Sequence, residues 1–265
     1  MSEHTNALDV DSELLAQLER LAGTPELLVA LDFDGTLSPE VDTPDDARAL
    51  PEARAAVLEL MALPHTRVAL VSGRAMESLL HVSELPDEAL LIGSHGVEER
   101  LDAPVRLALS DEEKSGLARL HAALDAVADD YDGVWVEHKP AGYALHTRRA
   151  SESDRAAAQE RARTDAATAA SGLTVRLGKN VLEFSVRGTT KGDAVRVLRE
   201  FTGATGVLFA GDDVTDEDGF AALGADDFGL KAGPGATVAA HRVDGPREVA
   251  SVLQTLANLR AGTSA

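Results

Sequence analysis

Cysteine is absent from the 265 residues, which excludes disulfide staples and thiolate metal sites. Aromatics are scarce, six Phe, two Tyr and one Trp, so the core has to be built from aliphatic side chains. Basic residues are outnumbered, 25 Lys and Arg against 45 Asp and Glu, for a formal charge of -20. That balance argues against nucleic acid or an anionic membrane as a partner. It also repels phosphorylated small molecules at long range, so any phosphate site must be assembled locally from Lys, Arg, amides or a metal. No apolar run approaches the roughly 18 residues of a membrane helix. The start, MSEHTNALDVDSELL, lacks the basic-then-apolar order of a signal peptide. The expectation is a soluble, cytoplasmic monomer without a nucleic-acid or membrane partner, long enough for one large domain or a core with an insert.

What is present is organised around Leu27–Leu37, LLVALDFDGTL. The apolar run Leu27–Leu31 reads as a strand buried in a parallel sheet. It ends in Asp32-Phe33-Asp34-Gly35-Thr36, where open parallel sheets bind ligands. Two carboxylates this close do not both ionise unless a cation or a shared proton relieves them. A bare DxD is also compatible with a capping Asp beside a turn Asp; its place directly after an apolar strand favours chemistry. A second strand, Arg67–Val71, runs into Ser72-Gly73-Arg74, a hydroxyl, a glycine and an arginine that can ligate phosphate, although on its own this triplet reads first as a helix cap. A third, Leu90–Ile92, precedes Gly93-Ser94-His95-Gly96-Val97-Glu98, in which His95 on its own reads as a loop hydrogen-bonder.

Ser110–Glu113 is a capping box that opens a helix to about Asp130. Strands at 134–138 and 143–149 follow, then an Ala/Arg/Glu-rich helix over 151–171 and strands at 173–177 and 181–185. Helix–strand–strand, twice over, predicts a small open sheet with helices on one face, inserted into the parallel core. Its two halves place Glu137 with Lys139 and Lys179 with Glu183. His146 and Arg148 are two apart and so expected on one face. Solvated strand polarity explains these charges equally well. The expected domains are a core over 1–109 and 186–265 and an insert over 110–185. In the returning core, Lys191 opens a helix, and a strand over 206–210 ends in Gly211-Asp212-Asp213-Val214-Thr215-Asp216-Glu217. Five acidic side chains between 212 and 218 at a strand end call for a divalent cation.

Collected, these are parts for phosphoryl transfer through a covalent intermediate: a carboxylate nucleophile, a second acid for the leaving alkoxide, Ser72 and Lys191 for phosphate oxygens, and Mg²⁺ near Asp32 and Asp212. Oxygen donors favour Mg²⁺ over zinc. The segments LDFDGTL, VSGR, TKGDAV and GDDVTDE resemble the haloacid dehalogenase superfamily. With GSHGVE, EHK, HTR and GKNVLE added, the set resembles its trehalose-6-phosphate phosphatase family over about residues 27–255. The resemblance implies a doubly wound, mostly parallel α/β core with an inserted α+β cap. It further implies that Asp32 is the nucleophile, Asp34 the general acid and base, and that Ser72, Gly73 and Lys191 bind phosphate. Mg²⁺ would be ligated by Asp32, Asp34 through its backbone carbonyl and Asp212. His95, Glu137, Lys139, Arg148, Lys179 and Glu183 would contact a phosphosugar substrate, trehalose 6-phosphate. Relatives acting on sucrose 6-phosphate or mannosyl-phosphoglycerate share the core, and a non-catalytic sugar-phosphate sensor is the alternative from another class. One departure from the family pattern is Pro140-Ala141-Gly142 straight after Lys139, where a glycine is usual.

Overall fold

Every side chain of Leu27–Leu31 (β1) is buried, and alternation divides them between two hydrophobic layers. Leu27, Val29 and Leu31 join one cluster. It also holds Leu18 and Leu21 of α1 (Ser12–Ala22), Val57 and Leu60 of α2 (Pro51–Ala62), and Leu253 and Leu256 of α8 (Pro246–Thr263). Leu28 and Ala30 face the other layer, with Val195 and Leu198 of α6 (Lys191–Thr202) and Phe220 of α7 (Asp216–Ala221). A strand apolar on both sides thus marks a sheet covered on both faces, each buried Leu or Val contributing about 1.5–3 kcal/mol. The computed structural model describes residues 12–41, 43–101, 104–107, 109–178 and 180–263.

Parallel partners of β1 are β2 (Thr66–Val71) on one side and β10 (Gly206–Gly211) on the other. β3 (Leu90–Gly93) extends the sheet beyond β2, reached through α3 (Met76–Ser83), and β4 (Glu98–Arg100) pairs with it antiparallel. Beyond β10 lie β11 (Phe228–Ala232) and β12 (His241–Val243); β5 (Arg106–Leu107) completes the order β12-β11-β10-β1-β2-β3-β4-β5. The short strands β4, β5 and β12 have no clear apolar alternation and are not legible in the sequence.

Two compact units divide the chain, one holding residues up to Val105 and from Thr190 onward, the other Arg106–Thr189. In the inserted unit, α4 (Asp111–Asp130) is opened by a reciprocal capping box in which Ser110 accepts from the Glu113 amide and Glu113 accepts from the Ser110 amide. The remaining elements are β6 (Trp135–Lys139), β7 (Gly142–His146), α5 (Glu152–Ala169), β8 (Thr174–Gly178) and β9 (Val181–Ser185), an antiparallel sheet in the order β6-β7-β9-β8. Strand β7 is shorter than the expected 143–149. Thr147 leaves the ladder, its amide and hydroxyl both donating to the Asn180 carbonyl, and the chain turns there.

Candidate active site

Three adjacent parallel strands end side by side, and their next residues are the ones the sequence singles out. β1 delivers Asp32, whose amide donates to the Ala210 carbonyl of β10 at 2.9 Å. β10 delivers Asp212, and β2 delivers Ser72. Lys191 enters from the first turn of α6, held by a Thr190–Asp193 capping box, and Asp216 from the first turn of α7. The Lys191 ammonium donates at 2.7 Å to Asp32 Oδ1 and at 2.7 Å to Asp216 Oδ1, with all three residues buried. Asp216 is fixed further by the amides of Asp212 and Asp213, which donate to its Oδ2 at 3.0 and 2.9 Å. Gly35 is required at its position. Its φ is +73°, and a Cβ there would overlap the Asp212 carboxylate, so only glycine lets Asp212 lie against the Asp32–Thr36 turn.

The electrostatics follow from crowding. Burial, together with repulsion from Asp216 and Asp212, pushes the Asp32 carboxyl up from 3.8 to about 7, against the opposing pull of Lys191. Asp212 is also raised, first by burial and then by Asp216. Burial on its own would lower the Lys191 ammonium, but Asp32 and Asp216 outweigh it and hold the group above its ordinary value. One carboxylate oxygen each from Asp32, Asp212 and Asp216 lie within 4.8 Å of one another. Three carboxylates against the ammoniums of Lys191 and Lys231 still leave uncompensated negative charge and acceptor-only oxygens, a donor set that fits a hard cation.

The Asp34 carboxylate does not join this triad. Arg74 grips it in a fork, Nε to Oδ2 at 2.6 Å and Nη2 to Oδ1 at 2.7 Å. Ser72 is buried, and its Oγ accepts from the Arg74 amide at 3.1 Å. His95 comes from the neighbouring loop, after β3: its amide donates to the Ser72 carbonyl at 3.0 Å, and a Cβ on Gly73 would come within 2.6 Å of its ring. Ser94 and His95 both have left-handed backbones, φ 50° and 55°, strain that the surrounding bonds sustain. Ser94 donates from its amide to the Arg74 carbonyl, and Glu98 accepts from Ser94 Oγ and from the Met76 amide. The Gly93–Glu98 loop therefore braces the Ser72–Arg74 loop.

In the inserted unit, one face of the sheet carries Trp135, Glu137 and Lys139 of β6, His146 of β7, Glu183 of β9 and Arg176 of β8. The register Glu137↔Ala144↔Glu183↔Arg176 runs straight across it. Glu137 accepts from Lys139 at 2.6 Å and from His146 at 2.7 Å. Partial burial raises its carboxyl, but these two partners outweigh that and hold it below the ordinary range. Pairing of Lys139 with Gly142 leaves Pro140-Ala141 as the turn, so the departure from the family pattern does not part Lys139 from Glu137. Arg148 lies past the end of β7, its guanidinium 5.2 Å from the centre of the Trp135 ring. Lys179 is outside the described residues.

Residues 30–252 match the family model described as Trehalose-phosphatase. The chain belongs to the trehalose-phosphatase family. It is 33% identical over 247 residues to an Escherichia coli trehalose-6-phosphate phosphatase, covering 90% of this chain and 91% of that one. It is 30% identical over 285 residues to a Zea mays trehalose 6-phosphate phosphatase, covering 97% of this chain and 78% of the other. A bifunctional trehalose-6-phosphate synthase/phosphatase of Thermoproteus tenax is 33% identical over 232 residues, and this chain spans about a third of its length, 32%. The crystal structure of an Aspergillus fumigatus trehalose-6-phosphate phosphatase superposes with a TM-score of 0.72 at 25% identity, over 92% of this chain and 97% of that one.

Membership makes this chain a hydrolase with a haloacid dehalogenase-like fold, a mostly parallel core sheet and a separate small antiparallel sheet. No helix among the described residues is long and apolar enough to cross a membrane. Within this trehalose-phosphatase fold, reading the sequence missed the parts that act through others. Arg74, which carried no role of its own in the sequence, forks Asp34. Glu98 fixes two loops. Lys231, buried on β11, brings its ammonium to the Asp212 carbonyl. A lysine inside the apolar strand FGLKA is the signal that could have found it, because a buried ammonium needs a partner.

Proposed function

We propose that this chain hydrolyses trehalose 6-phosphate to trehalose and phosphate with Mg²⁺, through an aspartyl-phosphate on Asp32. The observation that carries the chemistry is the buried Asp32 carboxylate, 2.7 Å from Lys191 and grouped with Asp212 and Asp216 at the sheet's carboxyl edge. Asp32, Asp212 and the Asp34 backbone carbonyl would hold Mg²⁺, which supplies charge neutralisation for the nucleophile and the phosphoryl oxygens. An Asp32 oxygen attacks phosphorus, forming the acyl-phosphate bond as the phosphorus–sugar oxygen bond breaks. Asp34, oriented by its two bonds from Arg74, passes a proton to the departing sugar oxygen. Water then attacks phosphorus while Asp34 takes its proton back, and phosphate leaves with Asp32 restored. Ser72, the Gly73 amide and Lys191 hold the phosphoryl oxygens.

Sugar recognition is assigned to His95 and to the charged face of the inserted sheet: Glu137, Lys139, Arg148, Lys179 and Glu183. Paired donors and acceptors suit a substrate made of hydroxyls, and a sugar lacking the matching hydroxyl leaves one of them unpaired. The test is phosphate release with Mg²⁺ from trehalose 6-phosphate, sucrose 6-phosphate, glucose 6-phosphate and p-nitrophenyl phosphate. Strong preference for the first is expected. A preference for another sugar would discard the substrate but keep the phosphatase, and no release from any would bring forward the sensor. Glu183→Ala should then reduce kcat/KM for trehalose 6-phosphate at least tenfold more than for p-nitrophenyl phosphate; equal losses would remove this face from sugar recognition.

A further inference from the structure

The chain's single tryptophan is not in its core. Trp135 opens β6, the edge strand of the inserted sheet, and pairs directly with His146 of β7. Indole and imidazole stack at 4.7 Å between centroids with 6° between planes. Two exposed arginines converge on the same ring, Arg148 with its guanidinium carbon at 5.2 Å from the centroid and Arg149 at 5.0 Å. His146 in turn reaches Glu137 at 2.7 Å, and Glu137 reaches Lys139 at 2.6 Å. One indole therefore stands at the head of a connected row, Arg148 and Arg149, Trp135, His146, Glu137, Lys139. Between this row and Glu183, the same face carries Gly142 and Ala144, both buried.

We propose that Trp135 is a positioning residue for sugar recognition: it holds His146 and Arg148 in the orientation in which this face meets its ligand. The inference rests on the functional reading above and extends it to a residue that touches no reacting atom. The reasoning is entropic. Arg148 lies past the end of the strand on an exposed turn, where a free guanidinium samples many rotamers that binding would have to freeze. Stacked on the indole, it is ordered in advance, and a flat π face suits a guanidinium better than an aliphatic surface does. The same ring fixes the tilt of His146 and, through it, the Glu137 carboxylate.

As the only tryptophan, Trp135 also reports on this face without a label. Wild-type protein titrated with trehalose, which cannot react, should show a saturable change in tryptophan emission, and so should Asp32→Asn titrated with trehalose 6-phosphate. Trp135→Ala should raise the trehalose 6-phosphate KM about tenfold with kcat changed less than about twofold. Trp135→Phe, which keeps a stacking ring, should recover most of that loss. Trehalose 6-phosphate saturating Asp32→Asn by calorimetry with unchanged emission would overturn the proposal, even if Trp135→Ala failed to fold. So would an unchanged KM in Trp135→Ala, or kcat and KM moving together with no rescue by Phe. A wild-type preference for trehalose 6-phosphate accompanied by either result would sink the role of Trp135 and leave the functional reading standing; absence of that preference would sink the reading first.

Discussion

Replacing Asp32 by asparagine should abolish turnover, since an amide of nearly the same shape cannot attack phosphorus. The same substitution makes a sharper claim about stability without metal. The Asp32 carboxyl is carried by burial, and by its acidic neighbours, from 3.8 to about 7 in the folded chain. The folded protein therefore binds that proton more tightly than the unfolded chain does. This contribution to stability is complete below pH 3.8 and is lost as pH rises through 7. At 1.36 kcal/mol for each tenfold change in proton affinity, the ionised carboxylate costs about 4 kcal/mol at pH 8. With roughly 2–4 °C per kcal/mol for a chain of this size, that is a shift on the order of 10 °C. The assay is thermal unfolding in EDTA between pH 5 and 8. Wild type should lose stability relative to Asp32→Asn as pH rises, and Mg²⁺ at pH 8 should restore wild type far more than the variant. Parallel curves for the two proteins in EDTA would refute the claim that Asp32 is held in an over-acidic, cation-demanding site.

Lys191→Met should cost about 3–5 kcal/mol in urea melts, because it strands two buried carboxylates that share one ammonium; a loss below about 1 kcal/mol would mean the pair is not buried as drawn. Gly35→Ala combines a left-handed backbone with a Cβ that meets the Asp212 carboxylate, so calorimetric Mg²⁺ affinity should fall at least tenfold. Arg260, buried on α8, donates to the carbonyls of Ala22, Thr24, Pro25 and His65 and ties the end of α1 to the starts of β1 and β2. Arg260→Met should destabilise by about 3 kcal/mol, since several buried carbonyls lose their donor, while phosphate release per folded molecule stays unchanged.

How much of this could be read beforehand depends on whether the cause is local. Strand β1, the capping box at Ser110 and the helix opened by Lys191 are written within a few residues, and these elements begin where the sequence puts them. The acidic residues that line the sheet edge were legible for the same reason: each follows an apolar run. Partners were not, because they are set by strand order. Asp32 and Lys191 meet across 159 positions, and Arg74 meets Asp34 because β1 and β2 are neighbours in register. Spacing shows that an arginine stands at a strand end; it does not show what that arginine will hold.

The inserted sheet makes the same point from the opposite direction. A lone tryptophan gains from burying its large ring but is seldom fully enclosed, so composition alone does not say which face of a strand it takes. Its half-buried place on the polar face is decided by hairpin geometry instead. The two-residue turn at Pro140-Ala141 fixes the pairing of Lys139 with Gly142, and the period of two then carries that register back to Trp135 and His146. A slip of one residue would turn Trp135 to the other face and bring Val136 in its place, parting Glu137 from His146 while Lys139, on the same strand, moves with it. The Pro-Ala turn that departs from the family pattern is thus the feature that sets which side chains share a face, and the polar network on that face depends on it as much as on the charged residues themselves.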